Sequence, residues 1–172
     1  FDGFRTSHEI NKIVPISDET LQALMPAAAI ASHRARALTP DNPTIRGTSA
    51  NPDTYFQSRE ATNSWYDACT GHVEAAMAAF GADTGRHYRP FEYYGHPQAE
   101  RVIVMMGSGC GTAEEAIDAM LQRGEKVGLV KVRLYRPFSA AHLIATLPAS
   151  VQRIAVLDRT KEPGALGEPL FL

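Results

Sequence analysis

The chain has 172 residues, 44% hydrophobic and 21% charged, which is enough apolar material for a packed core and too much for wholesale disorder. Seventeen Lys and Arg against nineteen Asp and Glu leave a formal charge of -2, so no general field attracts nucleic acid or anionic lipid, and neither partner is expected. The two cysteines, Cys69 and Cys110, exclude a disulfide-rich scaffold and any zinc or iron–sulfur site built from cysteine pairs within the chain; no apolar run reaches the ~18 residues of a membrane span.

In chain order, Pro15-Ile16-Ser17-Asp18 reads as a helix start, with Ser17 or Asp18 as N-cap ahead of Leu21, Leu24 and Met25. Pro26 kinks or restarts this helix, which is expected to run to about Leu38. The stretch 39–56, with Pro40, Pro43, Gly47 and Pro52, has loop chemistry. A long helix is expected from Ser58 to Phe80, with Trp65, Cys69, Val73, Met77 and Phe80 on one buried stripe and Gly81 and Gly85 at its close. Residues 86–95 are aromatic and partly alternating, an extended connector or edge strand interrupted by Pro90.

From residue 101 the pattern becomes regular. Strands are expected at 101–106, 127–133 and 153–158, helices at 113–123 and 139–147, with Gly107–Thr112 as a glycine-rich turn and Gly124 as a helix stop. Strand–helix alternation with short connections predicts a doubly wound, mostly parallel α/β sheet, and the near-continuous apolar strands predict cover on both faces. The expected organisation is an α/β core over 100–172, a helical arm and connector over 14–99, and a short leading segment, 1–13. The opening at Phe1 carries no leader pattern, and the apolar close at Pro169–Leu172 carries no stop signal; both are expected of a piece of something longer.

The turn Gly107-Ser108-Gly109-Cys110-Gly111-Thr112 lies where backbone amides and a helix N-terminus meet an anion. It departs from the dinucleotide fingerprint, which wants glycine where Thr112 stands, and it is not a Walker loop. A plain tight βα turn explains the glycines as well. Cys110 near a helix start reads as a small structural residue, and Cys69 as core. The six histidines have no ligand-like spacing, so no metal site is expected. In open α/β sheets ligands sit outside the carboxyl ends of the strands. The loops there carry Arg133, Arg136, Arg159 and Lys161, and these cations suit either an anion site with Gly107–Gly111 or ordinary ion pairing with Asp158, Glu162 or a neighbouring domain.

The segments FDGFRTSHEI, IRGTSANPDTYFQSREATNSWYD, YYGHPQAERVIVMMGSGCGTAEE, GEKVGLVKVRLYRPFS and RIAVLDRTKEPGALGEPLFL together resemble the pyruvate:ferredoxin (flavodoxin) oxidoreductases over nearly the whole chain. The resemblance implies that residues 1–13 are the tail of the domain holding part of the thiamin diphosphate and pyruvate site. The remainder is then a second domain, similar to the C-terminal domain of transketolases. It further implies a cytoplasmic homodimer that uses thiamin diphosphate, magnesium and [4Fe-4S] clusters, with ferredoxin or flavodoxin and coenzyme A as partners. Those cofactors belong mostly to other domains of the same polypeptide, so this piece is expected to hold no cofactor, metal or catalytic residue of its own. Arg5, Thr6, Ser7, His8 and Glu9 match the family's strand-end segment and are candidates for support of the substrate site. Gly109-Cys110-Gly111 is looser than the acidic sequence of many relatives, which weakens a specific contact by this turn. The competing readings are a free-standing phosphate- or coenzyme-binding module using Gly107–Thr112 and a pure interaction domain.

Overall fold

The computed structural model describes residues 8, 10, 12–45, 47 and 49–172. The chain divides into two compact units, one from Lys12 to His87 and one containing Tyr88–Leu172.

The second unit is built on four strands. The aromatic run Phe-Glu-Tyr-Tyr-Gly forms β1 (Phe91–Gly95), and aliphatic runs form β2 (Arg101–Met105), β3 (Val127–Val132) and β4 (Arg153–Leu157). The order is β1-β3-β2-β4. The three strands expected to be parallel neighbours are so: β2 pairs in parallel with β3 (Val104 opposite Val130) and with β4 (Val104 opposite Val156). The edge strand β1, which begins just after Pro90, runs antiparallel to β3 with Glu92 opposite Lys131.

Side chains alternate across the sheet with the period of two that strand geometry imposes. Val102, Val104, Val130 and Val132 share one face with Phe91 and Leu170, while Met105, Val127 and Leu129 share the other with Ile117. The helices that follow β2 and β3 in sequence are numbered in chain order after four in the first unit: α5 (Gly109–Gln122) and α6 (Ala140–Thr146). Leu143 and Leu147 pack on the first face and Met120 and Leu121 on the second, so the central strands β2 and β3 are covered on both faces and the sheet is doubly wound; the cover expected for every strand fails at the edge strand β4, where Ile154 and Leu157 are exposed. Leu129 and Val130, at the centre of β3, are wholly buried. Where β1 turns away, Gly95 (φ +133°) lies opposite Gly128, and a Cβ on Gly95 would fall 2.6 Å from the Gly128 backbone. Only glycine allows that approach.

The first unit carries α1 (Asp18–Leu24), α2 (Ala27–Ala35), α3 (Pro52–Glu60) and α4 (Asn63–Thr84). Ser17 caps α1 as expected, its hydroxyl accepting from Thr20 N at 3.2 Å, and Pro26 separates α1 from α2. Three expectations need correction. The second helix ends at Ala35, short of Leu38. The proline-rich loop is shorter than 39–56, because Pro52 opens α3 at the position where a missing N–H costs nothing. The long helix is two helices: at Ala61–Thr62 the Thr62 hydroxyl donates to the Arg59 carbonyl at 2.6 Å, competing with the helical ladder. Gly85, at φ +72°, closes α4 beyond Phe80.

The buried stripe on α4 is also corrected. Cys69, Val73, Met77 and Phe80 are half-buried, and Trp65 is 75% exposed. Within this unit α1 packs on α4; α1 is about 10 Å long and α4 about 33 Å.

Candidate functional site

Strands β2 and β4 are parallel neighbours whose following segments leave for opposite faces of the sheet. After β2 comes α5, on the Leu129 face. After β4 the chain crosses to the Val130 face, where Leu170 joins the core. It is held there by Asp158, whose carboxylate accepts from Leu170 N at 3.1 Å and Phe171 N at 3.2 Å, and by Tyr135 Oη, which donates to Pro169 O at 3.0 Å. Such a divergence makes a topological switch point, and the crevice at its carboxyl end is where open α/β sheets take ligands. Gly107 (φ +88°) and Ser108 follow β2, and Arg159 follows β4. Arg159 Nη1 donates to Ser108 Oγ at 3.2 Å across the divide.

The glycine-rich turn is shorter than expected. Helix α5 starts at Gly109 rather than Ala113, with Cys110 N donating to Gly107 O (3.2 Å) and Gly111 N to Ser108 O (3.3 Å). Glycine is unfavourable in a helix by only about 1 kcal/mol, less than the hydrogen bonds and packing of the extra turn return. Cys110 packs with the Met105–Ile117 cluster, its Sγ 3.9 Å from Met105 O, as a small structural residue.

The four cations are distributed rather than gathered. Lys161 pairs with Glu168 at 3.4 Å, in its own loop. Arg133 pairs with Glu92 at 2.8 Å and stacks on the Tyr88 ring. Arg136 stacks on Tyr135 and borders a groove of about 460 Å³ lined by Phe138, Leu143, Val156 and Leu170. The structure thus joins Ser108 with Arg159 and gives Lys161 and Arg133 ion-pair partners. Arg5, Thr6, Ser7 and Glu9 lie outside the described residues, and His8 is exposed.

The chain has a polar centre that sequence reasoning did not single out. Lys131 Nζ donates to Glu92 on β1 and, at 2.7 Å, to Glu114 on α5. Tyr94 Oη donates to Asp118 Oδ1 at 2.6 Å, a second tie from β1 to α5. Burial opposes the charge on Glu92, yet the hydrogen bonds from Lys131 and Arg133 outweigh it and hold the carboxyl below its ordinary value. Burial likewise opposes the Lys131 charge, and the bonds to Glu114 and Glu92 outweigh it and raise the ammonium above its ordinary value. The hydrogen bond to Asp118 raises the Tyr94 phenol. Opposite signs at Glu92 and Lys131 were visible in sequence; only the β1–β3 register made them a pair.

The donor set does not fit a metal cluster. A [4Fe-4S] cubane needs four thiolates and the chain has two cysteines. Among the described residues no three His, Cys, Asp or Glu side chains gather as a metal site, and no helix is long and apolar enough to cross a membrane.

Two family models match the chain. "Pyruvate flavodoxin/ferredoxin oxidoreductase, thiamine diP-bdg" matches residues 1–78, and "Pyruvate:ferredoxin oxidoreductase core domain II" matches residues 99–171. The chain is 71% identical over all 172 residues to a probable pyruvate-flavodoxin oxidoreductase of Escherichia coli (strain K12) and 59% identical over the same length to a pyruvate-flavodoxin oxidoreductase of Rhodospirillum rubrum. It is 58% identical over 171 residues to a pyruvate:ferredoxin oxidoreductase of Moorella thermoacetica. The chain spans 14–15% of the length of these three relatives. A solved 2-oxoglutarate:ferredoxin oxidoreductase from Magnetococcus marinus is similar over 69% of the chain and 20% of its own, at 18% identity and a TM-score of 0.42.

Proposed function

Because the chain belongs to the pyruvate:ferredoxin/flavodoxin oxidoreductase family, we propose that it works within an enzyme converting pyruvate and coenzyme A to acetyl-CoA and CO2, with the electrons passed to ferredoxin or flavodoxin. The observation that carries this reading is the succession of the two family models along one chain, thiamine-diphosphate-binding first and core domain II second, at 71% identity to a far longer relative.

In this reading the chain's own contribution is architectural. The α/β unit is an inter-domain and dimer-supporting body, and the helices of 12–87 are the arm leading into it. The proposed division keeps a leading segment over 1–13, an arm and connector over 14–99 and a core over 100–172. Arg5 to Glu9 support the substrate site from that leading segment. Thiamin diphosphate, magnesium and the [4Fe-4S] clusters are held elsewhere in the polypeptide, which acts as a cytoplasmic homodimer. The carboxyl edge with Gly107–Gly111, Arg136, Arg159 and Lys161 faces an anion or another domain, and the Arg159–Ser108 bond supports placing Arg159 at its centre. A free-standing coenzyme-binding module is not favoured. The resemblance runs through the whole chain, and two of the three glycines such a module would use, Gly109 and Gly111, belong to a helix.

The test is anaerobic assay of the whole polypeptide with thiamin diphosphate and magnesium. Reduction of a viologen dye that requires both pyruvate and coenzyme A, with acetyl-CoA formed in step, is the expected result. Dye reduction indifferent to pyruvate would overturn the reading.

A further inference from the structure

Strand β4 ends the sheet on one side without being built as an edge. It is last in the strand order and, among the described residues, pairs only with β2. Edge strands are ordinarily guarded by charge, proline or a bulge against pairing with other chains. Strand β4 reads Arg-Ile-Ala-Val-Leu, with its one charge at the first residue. Four of its five residues are exposed, Ile154 at 50% and Leu157 at 48%, whereas the opposite edge, β1, is buried or half-buried throughout. The register puts Ile154 and Val156 on the Val130 face, and Ala155 and Leu157 on the Leu129 face. An apolar groove lies beside β4 on each face. The groove of about 460 Å³ takes in Ile154 and Val156, and one of about 250 Å³ is bordered by Ile103, Ile117, Met120 and Ala155. Strand β4 is therefore open along its backbone and on both flanks together.

We propose that the polypeptide following Leu172 adds a fifth, parallel strand along the free side of β4. The proposal rests on one part of the functional reading above, that the chain works within a longer polypeptide; it spans 15% of its Escherichia coli relative. The hand of the crossovers selects the place. From β2 to β3 the chain moves toward β1 by way of α5 on the Leu129 face, and from β3 to β4 it moves the other way by way of α6 on the Val130 face. Opposite directions on opposite faces give one hand, the right hand that parallel connections take. After β4 the chain follows the Val130 face again, where Leu170 is buried and Pro169 to Leu172 line the groove over Ile154 and Val156. A right-handed connection on that face moves away from β1, so the next parallel strand it feeds is the outer neighbour of β4. A return to the far side of β1 would leave by the Leu129 face instead. With an apolar groove on each flank, the added strand carries aliphatic side chains on both faces, as β3 does.

The test begins with amide hydrogen exchange on the unsubstituted whole polypeptide. A strand paired on both sides has all its amides bonded, so residues 154–157 should exchange within about tenfold of residues 102–105 on β2. Alternate amides of β4 exchanging at the rate of open chain would overturn the proposal. The occupant is identified with the photo-reactive residue p-benzoylphenylalanine in place of Leu157, and separately in place of Arg153, in a mixture of isotopically light and heavy copies. Cross-links into the polypeptide that follows Leu172, within one copy, are expected. Cross-links to the thiamine-binding domain, cross-links between light and heavy copies, or none from either position would refute it. Neither readout depends on turnover, so a polypeptide silent with pyruvate that protects β4 and gives the expected cross-links would fail the functional reading and keep this one.

Discussion

Lys131 stands where β1, β3 and α5 meet, 12% exposed, with a carboxylate on either side. Replacing it by Met leaves Glu92 and Glu114 half-buried and short of a partner, a loss of about 1–3 kcal/mol after allowance for partial solvent screening. The sign with pH follows from the two shifts. Glu92, held low, contributes stability present above its unfolded value of about 4.3 and lost as pH falls through the lower folded value. Lys131, held high, contributes stability present below its unfolded value of about 10.4 and lost as pH rises through the higher folded value. Melting curves of Lys131→Met and the parent should therefore differ most near neutrality and converge in strong acid and strong alkali. A constant difference across that range would show the ion pairs to be idle. The glycines give a second pair of expectations. Gly111 is helical with open space at its Cβ position, so Gly111→Ala should stabilise by roughly 0.5–1 kcal/mol. Gly95→Ala meets the Gly128 backbone at positive φ and should destabilise by at least about 1–3 kcal/mol in the same denaturation series. These residues mark what was hard to read in sequence. Glycine after a strand signals a turn or a tolerated helix start equally, and only the packing of Cys110 and Ile117 under the sheet decides between them.

At the scale of elements, the sheet was legible because its signal is local and strong. Aliphatic runs separated by amphipathic helices fix parallel pairing, and the aromatic run after Pro90 became the edge strand it resembled. Strand β3, buried on both faces, is the element on which the rest depends. Leu129→Ala, at 0% exposure, should cost about 2–5 kcal/mol, and urea titration of the chain measures it. A loss below about 1 kcal/mol would mean that the site collapses around the gap, contrary to the packing described. The arm was less legible for a physical reason. Helical periodicity says that Trp65 and Phe80 share a stripe, but it cannot say whether the covering partner lies in the same chain. Here Trp65 stands exposed while Phe80 is half-buried. The break at Thr62 was hidden because a side-chain bond to Arg59, not a glycine or proline, makes it.

For the whole molecule, the sheet edge and the family point the same way for different reasons. The fold puts a topological switch point between β2 and β4, and of the four cations expected there it joins Arg159 to Ser108 while pairing Lys161 and Arg133 with carboxylates. No periodicity in the sequence announces those pairings, because each depends on loops returning from distant strands. The identity of the family, in contrast, was carried by long stretches of sequence and not by any chemistry-bearing motif. In the proposed function this chain supports a pyruvate oxidoreductase without performing its chemistry. The most direct test pairs two measurements on the 172-residue chain: circular dichroism for sheet and helix, then pyruvate-dependent viologen reduction with thiamin diphosphate, magnesium and coenzyme A supplied. A folded chain that leaves the dye oxidised, beside a whole polypeptide that reduces it, is the predicted result. A folded chain of 172 residues that reduces the dye by itself would contradict the claim.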